Sequence, residues 1–138
     1  MGQGCPPHYT GKDAEIIHSI VTEGCEIEGH VENSVLSPSV RVGKGAKVLY
    51  SVLMPGATVE PGAVVEYAIV GENSTIKAGA TVEYAIIGEN CVIEAGAKVG
   101  SVPDGSEGWG VATCGPDVTS PAGAVVPAAA MIYSGEEV

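Results

Sequence analysis

Three consecutive segments of equal length dominate this chain: residues 46–62 (AKVLYSVLMPGATVEPG), 63–79 (AVVEYAIVGENSTIKAG) and 80–96 (ATVEYAIIGENCVIEAG). The period is 17 residues, and self-similarity at so short a fixed period is the signature of a stack of equivalent units, each contacting only its neighbours. Residues 29–45 fit the same register without a gap, and residues 14–28 fit if their last turn is two residues shorter.

Aligning the units exposes three aliphatic columns. Ile16, Val31, Val48, Val65, Val82 and Val99 form the first; Val21, Leu36, Leu53, Val70 and Ile87 the second; Ile27, Val42, Val59, Ile76 and Ile93 the third. Within a unit the columns are five, six and six residues apart, so each turn has three sides with one inward aliphatic each. That is a hexapeptide pattern in which one side has lost a residue. Helices are excluded, because Pro55-Gly56, Pro61-Gly62, Gly71, Gly79, Gly88 and Gly96 recur between the columns and would break a 3.6-residue period. The same residues serve as corners. The predicted fold is an all-β parallel β-helix, a solenoid of about 17 residues per coil, with coils stacked at about 4.8 Å.

Composition agrees with a core of small branched side chains. Hydrophobic residues make up 45% of the 138, yet there is no Phe and one Trp, with 20 Gly and 9 Pro. A net charge of −11, from 17 acidic and 6 basic residues, argues against nucleic acid or an anionic membrane as partner. No apolar run follows Met1 and none approaches about 18 residues, so a cytoplasmic location is expected. Cys5, Cys25, Cys91 and Cys114 form no C-x-x-C pair, so buried thiols are expected, not a zinc site.

The repeat sets the organisation. Residues 1–13 read as an extended lead-in, a former interdomain linker, and residues 14–99 as regular coils. Residues 100–110 (GSVPDGSEGWG) are an irregular loop, residues 111–133 a final coil and strand with Cys114 at the position of Ile87, and residues 134–138 an acidic tail. Ala124–Ile132 is expected to form one strand.

Several stretches are narrower than a bare hexapeptide repeat: Ser19-Ile20-Val21 with Glu23-Gly24-Cys25, Val31-Glu32-Asn33-Ser34-Val35-Leu36, Val42-Gly43-Lys44-Gly45-Ala46, Ser51-Val52-Leu53-Met54-Pro55 and Pro121-Ala122-Gly123-Ala124-Val125-Val126. With the Pro-Pro-x-Tyr lead-in, they resemble the C-terminal domain of bacterial ADP-glucose pyrophosphorylase (glucose-1-phosphate adenylyltransferase) over about residues 6–133. The resemblance implies a left-handed β-helix, against the right-handed rule for parallel crossovers. It also implies a regulatory and oligomerisation domain in glycogen or starch biosynthesis, packed on its own catalytic domain and on sister subunits of a tetramer, with a sugar-phosphate effector. The nucleotidyltransferase reaction, ATP and glucose 1-phosphate giving ADP-glucose and pyrophosphate, belongs in that family to a separate domain, and ATP and Mg are implied there. Neither a Gly-rich phosphate loop nor a carboxylate set for Mg is present in this chain, so no catalytic residue, metal ligand or cofactor is assigned to it.

Two clusters are candidate sites. Ile20, Val35, Val52, Ile69 and Ile86 form an outward column beside the second inward one, since neighbouring strand residues point to opposite faces. Two residues back run His18, Asn33, Tyr50, Tyr67 and Tyr84. Such a stripe exceeds a random scatter of exposed aliphatics, and the expectation is an interface covered by another domain or subunit. Arg41, Lys44 and Lys47 hold half the basic residues and are the candidate effector-anion site, although a solvated corner is the simpler reading. An alternative function is a free-standing hexapeptide acyltransferase using acetyl-CoA and a histidine base. Against it, none of His8, His18 and His30 has an evident orienting partner in sequence. Trp109 has two roles open to it, capping the last regular coil or packing on a partner.

Overall fold

The computed structural model describes residues 9–134. Among these, nineteen short strands pair exclusively in parallel, and no helix occurs. One side of the prism is a 7-stranded sheet running from Tyr9–Thr10 through Glu26–Ile27, Arg41–Val42, Thr58–Val59, Thr75–Ile76 and Val92–Ile93 to Thr119–Ser120. The chain therefore coils seven times. In the regular coils the register equals the sequence period, as in Val65↔Val82 and Ile76↔Ile93. Backbone groups are satisfied from coil to coil: the Arg41 amide donates to Ala57 O at 3.0 Å, Thr58 to Ser74 O at 2.9 Å and Thr75 to Cys91 O at 2.9 Å. This is the hexapeptide-repeat β-helix that the periodicity predicts.

The three aliphatic columns are buried as expected from Ile27 onward, with Ile27, Val31, Leu36, Val48, Leu53, Val65, Val70 and Ile76 fully excluded from water, while Ile16 and Val21 in the first coil are partly buried. Burial of each stabilises the solenoid by roughly 1.5–3 kcal/mol. A second set of inward residues accompanies them, two positions earlier on each side: Ala46, Ala63, Ala80 and Ala97; Ser34, Ser51, Ala68 and Ala85; Cys25, Val40, Ala57, Ser74 and Cys91. Each side thus buries one small and one large residue. The small one follows directly on a corner.

The corners explain the spacing. Each coil turns three times, and at most of these turns one residue adopts the left-handed conformation. One corner is occupied by glycine in five coils, Gly45, Gly62, Gly79, Gly96 and Gly123, all near φ +72°, where the missing Cβ removes the steric cost. A second holds Gly24, Ser39, Gly56, Asn73, Asn90 and Asp117, mostly residues that tolerate this region. The remaining corner, on the five-residue side, holds His18, Asn33, Tyr50, Tyr67 and Tyr84 at φ 44–51°. Tyrosine there costs about 1–2 kcal/mol per residue.

Serine hydroxyls brace that same corner in the first coils. Ser19 Oγ donates to Ile17 O (2.8 Å) and accepts from the Ser34 amide (3.0 Å); Ser34 Oγ donates to Glu32 O (2.9 Å) and accepts from the Ser51 amide (3.0 Å); Ser51 Oγ donates to Leu49 O (2.8 Å) and accepts from the Ala68 amide (3.1 Å). Where alanine follows the corner, Val64–Val70 and Thr81–Ile87 run through it as single strands.

The ends depart from expectation. Tyr9–Thr10, assigned to the lead-in, pairs with Glu26–Ile27 and so already belongs to the first coil. The segment expected as one strand over Ala124–Ile132 is two, Val125–Val126 on Lys98–Val99 and Met131–Ile132 on Thr113–Cys114. Pro127 has no amide to extend the first strand, and the chain turns there, with the Ala130 amide donating to Pro127 O (3.2 Å) and Ala129 at φ 68°. At the column position of Ile27 to Ile93 the last coil carries Ser120, fully buried, whose hydroxyl has no hydrogen-bond partner among the described residues.

Candidate functional site

The outward stripe is continuous in space. Ile20 pairs with Val35, Val35 with Val52, Val52 with Ile69 and Ile69 with Ile86, in adjacent strands. Ile20, Val35, Ile69 and Ile86 are 61%, 38%, 43% and 42% exposed, and Val52 is half-buried. Beside it the left-handed corner projects Tyr50, Tyr67 and Tyr84 as a stack, with centroids 4.8 Å apart at each step and planes within 4° and 11° of parallel. Such contacts are each worth roughly 0.5–1.5 kcal/mol, which offsets only part of the backbone cost of three left-handed tyrosines. Between the aromatic ridge and the aliphatic ridge lies a shallow groove of about 330 Å³, floored by Ala68 and Ala85 and closed at one end by Val111.

Trp109 finishes the aromatic ridge. The 100–110 loop leaves the coil after Val99 and returns at Ala112, which pairs with Ala85, so it occupies the place where the next corner residue would stand. Trp109 crosses Tyr84 edge-on at 5.8 Å and 78°, and its indole Nε1 donates to Ser101 O at 2.9 Å. Inside the loop Asp104 accepts from the Ser106 amide at 2.9 Å, and hydrogen bonds from Ser106 hold its carboxyl below the usual range. Trp109 therefore packs on the last tyrosine of the ridge. At the centre of the stack, partial burial raises the Tyr67 hydroxyl pKa, with smaller contributions from Tyr50, Tyr84 and the Glu66 carboxylate.

The second cluster converges only in part, Arg41 standing apart from the two lysines. Arg41 lies on one side of the prism, paired in register with Glu26 and Thr58, and its Nε stands 3.8 Å from Glu26 Oε1. Lys47 lies on the next side, in register with His30 and Val64. Lys44 sits on the corner between them, and Lys44 and Lys47 line one depression together with Asp13, Glu28 and His30. Carboxylates thus stand among the cations.

His30 has partners that sequence alone did not disclose. Its Nδ1 meets Glu15 Oε1 at 2.9 Å and its Nε2 meets Glu32 Oε1 at 2.9 Å. Glu15 comes from the preceding coil, directly opposite in register, and Glu32 lies two residues on. The Glu32 hydrogen bond raises the His30 pKa above 6.5, burial opposes it, and Glu15 adds to the rise. With both ring nitrogens engaged by carboxylates, the imidazolium is stabilised and no nitrogen is left to take a proton from a substrate. His18 stands exposed at the left-handed corner, and His8 lies outside the described residues.

The thiols are internal. Cys25 Sγ donates to Ser37 O at 3.2 Å and Cys91 Sγ to Gly115 O at 3.0 Å. Burial raises the Cys91 pKa and pushes Cys114 up to about 11, so both stay protonated and unreactive at neutral pH. Cys5 lies outside the described residues. Among the described residues no group of three His, Cys, Asp or Glu side chains could hold a metal ion, and no helix is long and apolar enough to cross a membrane.

Comparison with known proteins places this geometry. The chain is 54% identical over 46 residues to glucose-1-phosphate adenylyltransferase of Clostridioides difficile (strain 630), covering 33% of this chain and 12% of that protein. It is 56% identical over 43 residues to the enzyme of the same name from Geobacillus stearothermophilus, covering 31% and 11%. The matched stretch thus spans about a tenth of these relatives. Among solved structures, the acetyltransferase domain of PglB from Neisseria gonorrhoeae FA1090 superimposes with a TM-score of 0.50 at 22% identity, over 80% of this chain and 55% of that one, a likeness of fold. The model of the GlmU-like, C-terminal hexapeptide family matches residues 7–82 and 45–110, and with most of its coils accounted for in this way the chain belongs to that family.

Proposed function

We propose that this chain is the β-helical regulatory and assembly domain of a glucose-1-phosphate adenylyltransferase, and that adenylyl transfer is performed by a domain outside these 138 residues. The observation that carries the reading is the identity of 51–58% to enzymes of that name over 41–46 residues, far above what a shared hexapeptide pattern gives. The site described above agrees with it. The exposed feature most developed in this fold is an apolar face, and such faces on soluble proteins are covered by partners. In the assembled enzyme the stripe from Ile20 to Ile86 and the tyrosine ridge lie against the catalytic domain or a sister subunit. On this reading ATP and Mg belong to the catalytic domain. A sugar-phosphate effector at the candidate anion site would meet Lys44 and Lys47 in one depression that Asp13 and Glu28 also line, with Arg41 on the neighbouring side.

The test is made on the full-length protein from the natural reading frame, assayed for ADP-glucose synthesis and for oligomeric state by sedimentation, as wild type and as Val52→Lys/Ile69→Lys. The wild type is expected to make ADP-glucose. The double variant should keep its circular dichroism spectrum, because the inward columns are untouched, while losing assembly. Absence of ADP-glucose synthesis by an intact wild type rejects the enzyme assignment. A variant with unchanged assembly and activity rejects the interface.

A further inference from the structure

The same face carries a second, independent pattern, in its charge. All six basic residues, Lys12, Arg41, Lys44, Lys47, Lys77 and Lys98, lie on the other two sides of the prism and the corner between them. The segments forming the tyrosine corner, the stripe and the corner beyond it, residues 17–23, 32–38, 49–55, 66–72, 83–89 and 111–117, contain no lysine or arginine. Their charges are all negative. Flanking the groove along the chain, Glu66 and Glu83 pair in register one residue before the tyrosine corner, while Glu72 and Glu89 stand on the turns that follow the stripe. Glu72 and Glu89 are exposed, Glu66 and Glu83 half-buried, and none of the four is in an ion pair among the described residues. The Glu66 field reaches Tyr67, which it pushes up.

An apolar groove with one-signed rims selects its occupant. A second copy of this face would bring glutamates against glutamates across a low-dielectric contact, which disfavours it, and an anionic membrane or nucleic acid is repelled for the same reason. From this we infer that the groove lined by Tyr50, Tyr67, Ile69 and Ile86 docks a protein segment of amphipathic chemistry, an apolar ridge flanked on both sides by lysine or arginine, and does not pair with its own copy. The apolar ridge fills the alanine-floored groove, and the flanking cations meet Glu66 and Glu83 on one side and Glu72 and Glu89 on the other. This deepens the proposed function and rests on its reading of the face as an interface. It adds that the covering surface, on whichever domain or subunit it lies, is basic at its rim.

The experiment uses the 138-residue chain and a synthetic amphipathic helical peptide with one leucine face flanked by lysines, beside a version with glutamates in their place. Binding is read by fluorescence anisotropy at low ionic strength. The lysine peptide should bind at least about tenfold tighter than the glutamate peptide, from a few rim contacts, and weaken as salt is raised. Glu66→Gln/Glu72→Gln/Glu83→Gln/Glu89→Gln and, separately, Ile69→Ser should each remove the preference. Glu26→Gln/Glu60→Gln, carboxylates on another side, should leave it, which separates the groove from the overall charge of −11. Equal binding of the two peptides overturns the inference, as does a rim variant that behaves like wild type. So does a wild-type chain that dimerises at low salt and that Ile69→Ser renders monomeric, since the occupant is then a second copy. Each of these results leaves the full-length assembly test standing, so the two ideas fail separately.

Discussion

Two serines in this solenoid are equally buried and oppositely placed, and exchanging them should move stability in opposite directions. Ser74 and Ser120 are both 0% exposed. Ser74 Oγ donates to Gly88 O at 2.6 Å and accepts from the Cys91 amide at 2.8 Å, so it bridges two coils at a corner. Ser120 occupies an aliphatic column position, in register with Ile93, and its hydroxyl has no partner at hydrogen-bonding geometry among the described residues. The Cys114 thiol lies near enough for Ser120 to lower its pKa slightly against the larger effect of burial. A buried unsatisfied hydroxyl costs about 1–3 kcal/mol, and the methyl groups of valine add about 0.8 kcal/mol per carbon buried. Contacts with Cys114 subtract part of this if the space is tight.

Ser120→Val should therefore stabilise the chain by about 1–2 kcal/mol, and Ser74→Ala should destabilise it by a similar amount through the two backbone groups it orphans. Thermal unfolding followed by circular dichroism reads both, at about 3 °C per kcal/mol for a chain of this size. Amide hydrogen exchange adds a local readout. Because a solenoid's stability is a sum over neighbouring coils, the Ser120→Val gain should appear as slower exchange in the coil of Lys98–Val99 and Thr119–Ser120. If Ser120→Val lowers the melting temperature while Ser120→Ala leaves it unchanged, the site has no room for a branched side chain and the column argument fails there. If Ser120→Ala itself destabilises, the hydroxyl has a partner and the account of its cost is wrong.

The tyrosine ridge and the histidine clamp give two more. Tyr67→Asn exchanges a left-handed tyrosine for a residue that tolerates φ near 50°, while losing two stacking contacts. With about 1–2 kcal/mol regained from the backbone and about 1–3 kcal/mol lost from two ring pairs, the net change in unfolding free energy should lie between a gain of about 1 and a loss of about 2 kcal/mol, and a loss above about 3 kcal/mol by urea denaturation would show that the ridge holds the fold itself. The raised His30 pKa makes its clamp a source of stability that is fully present below pH 6.5 and is lost as pH rises through the folded-state value. His30→Gln should accordingly lower the melting temperature at pH 6 and leave it nearly unchanged at pH 9, and an equal loss at both would mean that the imidazole contributes without its charge.

What could be read from the sequence was what repeats with the period. The aliphatic columns, their burial and the coil-to-coil register follow from a side-chain pattern that is the same in every unit. The small inward columns repeat equally well, yet Ala63, Ala80 and Ala97 carry no strong hydropathy signal, and their meaning depends on knowing that a corner lies one residue before them. Ala124–Ile132 was misjudged because its apolar composition continues across a corner that only Pro127 marks. The clamp on His30 was invisible for a different reason. Glu15 lies fifteen residues away, in the one coil shortened by two residues, so the pairing emerges only after the coils have been put in register.

The site was half legible on the same terms. The stripe and the tyrosines could be placed on one face by alternation alone, since adjacent residues of a strand point oppositely. That the tyrosines occupy a left-handed corner could not, because tyrosine is a poor choice for that conformation, and sequence rules assign such corners to glycine or asparagine. The exception is informative. Asn33 holds the same position one coil earlier at φ 51° without strain of this kind, so the fold does not require an aromatic there, and in three successive coils the chain carries one at a backbone cost that stacking repays only in part. The part that stacking does not repay has no other return within the chain, whereas covering three ring edges and five aliphatics by a partner would return it. The left-handed tyrosines are thus better evidence for an interface than the exposure of the stripe, because exposure costs the isolated chain little and strain costs it at every coil.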